Sequence, residues 1–275
     1  MKIDNVAGAW PQAGLDSADI VFDAQVEGGL TRLMAVYQSH GARLVGPIRS
    51  ARPVDAYLLR LFHGGYFAFS GASPGEMRPV RRFSHATLLY DDFASAPFSR
   101  RGDHVAPHNL FSSTARLYRA LHARAPRMHP PPPVFEFARS KPAGVHTRSV
   151  TVRFPAATAT WRWTGASWVR TQDGHPDRLM GHHRVSTTNV VIMSVKTVGT
   201  GIFETNGAQD PLPVTVGSGR CWVLRNGVRV AGTWQRLKIS NGLNLLGPHG
   251  RRIRLAPGRT WVELMPRPGS PSFRP

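Results

Sequence analysis

The chain has 275 residues, 41 % of them hydrophobic and 9 % aromatic, a composition that packs a core and excludes an intrinsically disordered protein. No run of about 18 uninterrupted apolar residues occurs, which excludes a membrane-spanning helix. A single cysteine, Cys221, excludes an internal disulfide and a cysteine-rich metal site.

The formal net charge is +19. Only Lys2, Lys141, Lys196 and Lys238 are lysines, so arginine supplies nearly all of the basic residues, a bias that coding composition alone produces. The distribution is more informative. Residues 1–140 carry 16 basic and 11 acidic side chains, residues 141–275 carry 19 and 5, and a field that lopsided favours an anionic neighbour for the second half. The arginines are scattered and no recognition motif accompanies them, so specific nucleic-acid binding is not expected.

In chain order, "ADIVFDAQ" (18–25) and "TRLMAVYQ" (31–38) read as strands across the turn-rich "VEGGL", and "GGYFAFSG" (64–71) as a third. Between them "ARPVDAYLLRLF" (51–62) has helical spacing, with Pro53 in the first turn and Asp55 complementing the dipole. "HNLFSSTARLYRALHARA" (108–125) predicts another helix with Leu117 and Leu121 on its apolar face and Asn109 as a possible cap. The tetraproline in "PRMHPPPPV" (126–134) ends both kinds of element and marks a stiff connector.

Beyond it, short apolar segments are punctuated by glycine: "TWRWTGASWVRT" (160–171), "TNVVIMSV" (188–195), "RCWVLRNGVRVAGTWQR" (220–236) and "RTWVELMP" (259–266). Asn226-Gly227 predicts a tight hairpin. The expected organisation is an α/β or α+β domain over 1–128, a Pro-rich linker over 129–144, and a mostly antiparallel β domain over 145–275. Trp161, Trp163, Trp168, Trp222, Trp234 and Trp261 alternate with arginines there, about half expected in the core and the rest on a stacking surface. "GHH" (181–183) with His175 lacks acidic or cysteine partners at ligand spacing and reads as a polar loop.

These stretches together resemble the YerB family, bacterial lipoproteins or secreted proteins whose two-part domain has no established function. The matching segments are "KIDN" (2–5), "PQAGLDSADIVFDAQVEGGLTRLMAVYQS" (11–39), "VGPIRSARPVD" (45–55), "SGASP" (70–74) and "APHNLFSS" (106–113), then "TNVVIM" (188–193), "VGSGRCWVLRNG" (216–227), "GTWQR" (232–236) and "LAPGRTWVELMP" (255–266). The resemblance implies an extracytoplasmic protein, secreted or lipid-anchored. The chain itself opens "MKIDNVAGAW" without the basic start and apolar stretch of an export signal.

Polar groups gather at strand ends in the first half, and three readings of them stay open. In the first, Glu27 or Asp19 neutralises Arg32, Arg49 or Arg52 in a buried network. In the second, Arg32, Arg49, Ser50, Arg52 and Asn109 bind the phosphate or carboxylate of an anionic envelope polymer, lipid head group or phosphorylated precursor, assisted by a helix start. In the third, Glu27 and His108 act as base and acid while Asp19 and Asp23 hold a metal such as Mg, for transfer on a polyprenyl-phosphate-linked precursor. The arginine turn after two strands is similar to that of the LytR-CpsA-Psr phosphotransferases. An interaction scaffold without a small-molecule site is a further class.

Overall fold

Alternating apolar residues place six elements in the first third of the chain: strands β1 (Lys2–Asp4), β2 (Ile20–Gln25) and β3 (Thr31–Val36), helix α1 (Pro53–Leu59), strand β4 (Gly65–Phe69) and helix α2 (Pro74–Phe83). Strand β5 (Ala86–Tyr90) and helix α3 (Thr114–Arg124) follow. The computed structural model describes residues 1–90, 96–125, 130–140, 142–203 and 207–275, so the boundary expected at 128–129 lies outside the described residues.

The two halves of the chain share one sheet. Its order is β1, β3, β2, then Thr260–Pro266, Asn189–Val195, Gly217–Arg225, Val228–Arg236 and Asn244–Leu246, with Val145–His146 beside Val228–Arg236. β1, β3 and β2 pair antiparallel. β2 then pairs in parallel with Thr260–Pro266, Ile20 opposite Thr260 and Asp23 opposite Glu263. A second sheet is built from the strands of residues 149–176 with Ser186–Thr187 and Ser272–Arg274.

Two apolar clusters fill the faces of the large sheet. Val21, Leu33, Ile192 and Trp261 pack with Val150, Val152, Trp161 and Trp168 of the second sheet. Phe22, Met34, Val191, Met193 and Leu264 pack with Val54 and Leu58 of α1 and Val80 of α2. Asn189–Val195 is therefore covered on both sides and buried throughout, which is why it reads as a continuous apolar run instead of an alternation. Each fully buried aliphatic or aromatic side chain in these clusters contributes about 1.5–3 kcal/mol.

Local chemistry ends the helices where it should. In α2, Ser73 Oγ accepts from Glu76 N and the Glu76 carboxylate accepts from Ser73 N at 2.6 Å, a reciprocal cap. α3 starts later than its sequence suggests: Ser113 Oγ accepts from Arg116 N at 3.2 Å, and Asn109 precedes a short strand, Leu110–Phe111. Asn109 is therefore not the cap. The Asn226-Gly227 hairpin has φ of 51° and 75°, the pair of left-handed residues that the two-residue turn demands.

The second half is mostly antiparallel, as expected. The first half is not clearly a layered α/β domain: parallel pairing within it is confined, among the described strands, to β4 and β5 around α2, while β1 to β3 pair antiparallel with one another and β2 joins Thr260–Pro266 of the shared sheet in parallel. Of the six tryptophans of the second half, only Trp163 is half-exposed and the other five are buried. A tryptophan stacking surface is thus absent there, because alternation turns Trp161, Trp168, Trp222 and Trp261 into the space between the sheets and Trp234 into the cluster on the opposite face.

Candidate functional site

The register of β1 on β3 sets Asp4 opposite Arg32, and the quoted "VGPIRSARPVD" segment runs alongside. Asp4 N donates to Pro47 O at 2.9 Å, Arg49 N to Lys2 O at 3.0 Å and Ala51 N to Gly71 O at 3.0 Å. The backbone of 47–51 is thereby held like an extra strand, and its side chains are delivered to the end of β1.

Asp4 is the pivot of this corner. Its Oδ2 lies 3.1 Å from Arg49 Nε and 2.7 Å from His108 Nδ1, and its Oδ1 accepts from Asn5 N at 2.9 Å. Asp4 is 1 % exposed, against 23 % for Arg49 and 24 % for His108. One buried carboxylate thus positions two half-exposed groups at the surface. Arg49 Nε pairs with Asp4 by charge, without hydrogen-bond geometry, and its two Nη groups donate to no acceptor among the described residues. With Nδ1 donating to Asp4, His108 turns Nε2 to an outside partner, and Nε2 is a donor to an oxyanion when the ring carries both protons. Behind them, Asn5 Nδ2 donates to Thr31 Oγ1 at 2.8 Å and Gln12 Nε2 to Asn5 Oδ1 at 3.1 Å, which fixes the Asp4–Asn5 backbone.

Arg52 lies deeper. Its Nε and Nη2 donate to both oxygens of Glu27 at 2.7 and 2.6 Å, and Nη1 meets Glu76 Oε1 at 2.5 Å. Asp210, carried by the hairpin formed by Thr197–Phe203 and Gln209–Pro213, lies 3.4 Å from Arg52 Nε. Arg32 Nη2 donates to Glu27 at 2.5 Å and its Nη1 to Ser50 O at 3.4 Å. Burial opposes the charge on Arg52, but the Glu27 hydrogen bond and the charges of Glu27, Glu76 and Asp210 outweigh it and strengthen its hold on the proton. Burial and the neighbouring Arg52 charge bring Arg32 down to about 10. Burial would raise Glu27, but the Arg52 hydrogen bond and the two guanidinium charges hold it at about 2.

These positions revise the sequence reading in three respects. Arg52 is 2 % exposed and matched by acids, so Arg49 and Arg52 do not form one fork. Glu27, clamped as a carboxylate by two arginines, is a poor general base at neutral pH. Asp19 and Asp23 share no metal site, because four residues along a strand separate them by about 13 Å. Asp19 instead accepts Gln38 N at 2.6 Å and Ser39 N at 2.9 Å, and Asp23 is sealed between the sheets with Arg170 at 2.6 Å. Among the described residues no group of three His, Cys, Asp or Glu side chains is placed to hold a metal ion. Asn109 Oδ1 accepts from Arg100 Nη1 at 2.7 Å and stands outside the corner.

The fold therefore collects Asp4, Glu27, Arg32, Arg49, Ser50, Arg52 and His108, and leaves Asp19, Asp23 and Asn109 elsewhere. It also adds Lys2, Glu76 and Asp210, which carried no local signal, and gives Asp55 a second partner. Lys2 Nζ donates to Asp55 Oδ1 at 2.8 Å with both side chains fully buried, and Asp55 Oδ2 accepts from Arg52 N at 2.7 Å. Asp55 thus caps α1 and neutralises a lysine that burial otherwise pushes toward the neutral form. Glu76 and Asp210 reach the corner only through tertiary packing.

Residues 1–127 match the N-terminal domain, and residues 150–262 the C-terminal domain, of the family described as protein of unknown function DUF3048. The chain belongs to this family. A relative in Bacillus subtilis (strain 168), named "Putative lipoprotein YerB", is 27 % identical over 276 residues, spanning 96 % of this chain and 80 % of its own length. The crystal structure of the YerB protein from Bacillus subtilis has the same fold, with a TM-score of 0.81 at 22 % identity, covering 100 % of this chain and 92 % of that one. No helix among the described residues is long and apolar enough to cross a membrane.

Proposed function

We propose that this protein is an extracytoplasmic binding protein that captures a phosphate- or carboxylate-bearing envelope component on Arg49 and His108. The observation that carries the reading is Asp4: a buried carboxylate that anchors both groups and leaves the Arg49 Nη pair open to solvent. A guanidinium with two parallel N–H donors suits an oxyanion geometrically as well as electrostatically. Arg32, behind Asp4, adds a further positive charge. The name of the Bacillus subtilis relative supports an envelope location.

The test is thermal unfolding with pyrophosphate or sulfate titrated in. A ligand that binds only the folded chain raises the midpoint with concentration. The expected result is such a rise in the wild type and none in Arg49→Ala. An equal rise in that variant removes Arg49 from the site and ends the proposal.

A further inference from the structure

A second place in the molecule is built to hold something, at the opposite end of β3 from Arg32. A cavity of about 400 Å³ opens between the end of β3, the turn after α1, β4 and α3, within the range of small-molecule sites, about 300–1,000 Å³. Val36, Phe62, Tyr66, Leu117, Tyr118 and Leu121 contribute to its wall. The tyrosine hydroxyls are already engaged: Tyr66 donates to Ala125 O at 2.8 Å and Tyr118 to Tyr37 O at 2.6 Å. The wall therefore offers an occupant ring faces and aliphatic carbon.

Polarity enters at the solvent side, where Gln38, Ser39 and His40 are exposed and line the opening. Their hydrogen bonds have a defined direction. Asp19 accepts the Ser39 hydroxyl proton, and Ser39 Oγ also lies 2.9 Å from His40 Nδ1. A serine has one proton, and the carboxylate takes it, so Nδ1 of a neutral His40 must be the donor to Ser39. Nε2 is then an acceptor, and no protein donor reaches it among the described residues.

We infer that this cavity binds a neutral molecule with an apolar body and a hydroxyl head, the chemical class of long-chain alcohols and phenols, with the head donating to His40 Nε2. The Asp19 carboxylate behind Ser39 makes the opening unfavourable for an anionic head. The site is separate from the Arg49 corner and does not depend on it.

The experiment is isothermal titration calorimetry at pH 8 with 1-octanol and with 1-methoxyheptane, which has the same number of heavy atoms but no hydroxyl proton. Octanol is expected to saturate at one molecule per chain and the ether to bind about fivefold more weakly, the worth of one hydrogen bond. His40→Ala should bring octanol down to the ether and leave the ether unchanged. Val36→Trp, at a half-buried wall position, should abolish both, and Arg49→Ala should alter neither. Absence of saturable octanol binding, equal affinity of the two probes in the wild type, or undiminished binding by a folded Val36→Trp chain would each overturn the assignment. Should Val36→Trp fail to fold, the comparison of probes in His40→Ala decides alone.

Discussion

Asp23 and Glu263 stand side by side on parallel strands that come from opposite ends of the chain, with both carboxyls fully buried between the sheets. Arg170 Nη2 donates to Asp23 at 2.6 Å and its Nη1 to Asp177 at 2.6 Å, while Trp161 Nε1 donates to Glu263 Oε1 at 2.8 Å. Burial first, and the Asp23 charge second, push Glu263 up to about 8. Asp23 is also raised, by burial against the pull of Arg170. At neutral pH the pair keeps a proton.

This sets a pH dependence with a definite sign. The folded chain holds a proton on Glu263 up to about pH 8, whereas an unfolded glutamate loses it near 4.3. Between those values the native state binds more protons, so stability falls as pH rises, by at most about 1.4 kcal/mol per unit, and levels off above 8. Glu263→Gln keeps an acceptor for Trp161 and removes the titration. Burial brings the Met1 ammonium down to about 5, which contributes the opposite slope over this range, so in urea unfolding from pH 5 to 9 the wild type should lose stability relative to Glu263→Gln as pH rises; parallel curves would show that Glu263 does not titrate in this window.

Glu27 acts at the acid end with the opposite sign. Its carboxyl is held at about 2, so the stability it contributes is complete above its unfolded value and is lost as pH falls toward 2, on the order of 3 kcal/mol in all. In acid titrations followed by circular dichroism, Glu27→Gln should be less stable than the wild type at pH 6 and should converge on it below pH 3. A gap that stays constant down to pH 2 would mean that packing, not charge, explains the loss.

The Lys2–Asp55 pair predicts an asymmetry between its two members. Truncating either one leaves a buried charge without its partner, at a cost of about 3–5 kcal/mol. Asp55→Ala also strips the Arg52 N–H of its acceptor at the start of α1, worth about 1 kcal/mol more. Chemical denaturation should therefore rank Asp55→Ala below Lys2→Met, and equal midpoints would remove the capping contribution.

Asp4 gives the sharpest test of the proposed anion site, because its replacement leaves both surface groups in place. Asp4→Asn keeps a side-chain oxygen near Asn5 N while removing the charge that holds Arg49 and His108. Anion affinity should drop about tenfold through lost positioning despite the gain of one positive charge. A variant that binds more tightly would show that net charge, not geometry, governs capture.

The sequence carried the strands and turns well because their signals are local: β-branched alternation and an Asn-Gly turn. The residues it named fall into two groups, Glu27 with Arg32 and Arg52, and Arg49 with His108 on Asp4. What it could not carry was depth. Arg49 and Arg52 lie three residues apart on an extended segment, and only tertiary packing decides that one stops at Asp4 near the surface while the other sinks among Glu27, Glu76 and Asp210. Strand alternation puts Asp23 on one face of β2, but alternation does not say that this face is roofed by a second sheet bearing Arg170. Glu263 lay inside "RTWVELMP", where its neighbours mark a buried strand and nothing marks its partner.

The parallel pairing of β2 with Thr260–Pro266 has a consequence for synthesis. The central strand order cannot close until Thr260–Pro266 has left the ribosome, since β2 waits for a neighbour some 240 positions downstream. Until then the early strands expose a bare backbone rim and the Asp23 carboxyl. Assembly of this chain is thus a late, long-range event, and the nascent first half is a species that needs shielding from other chains.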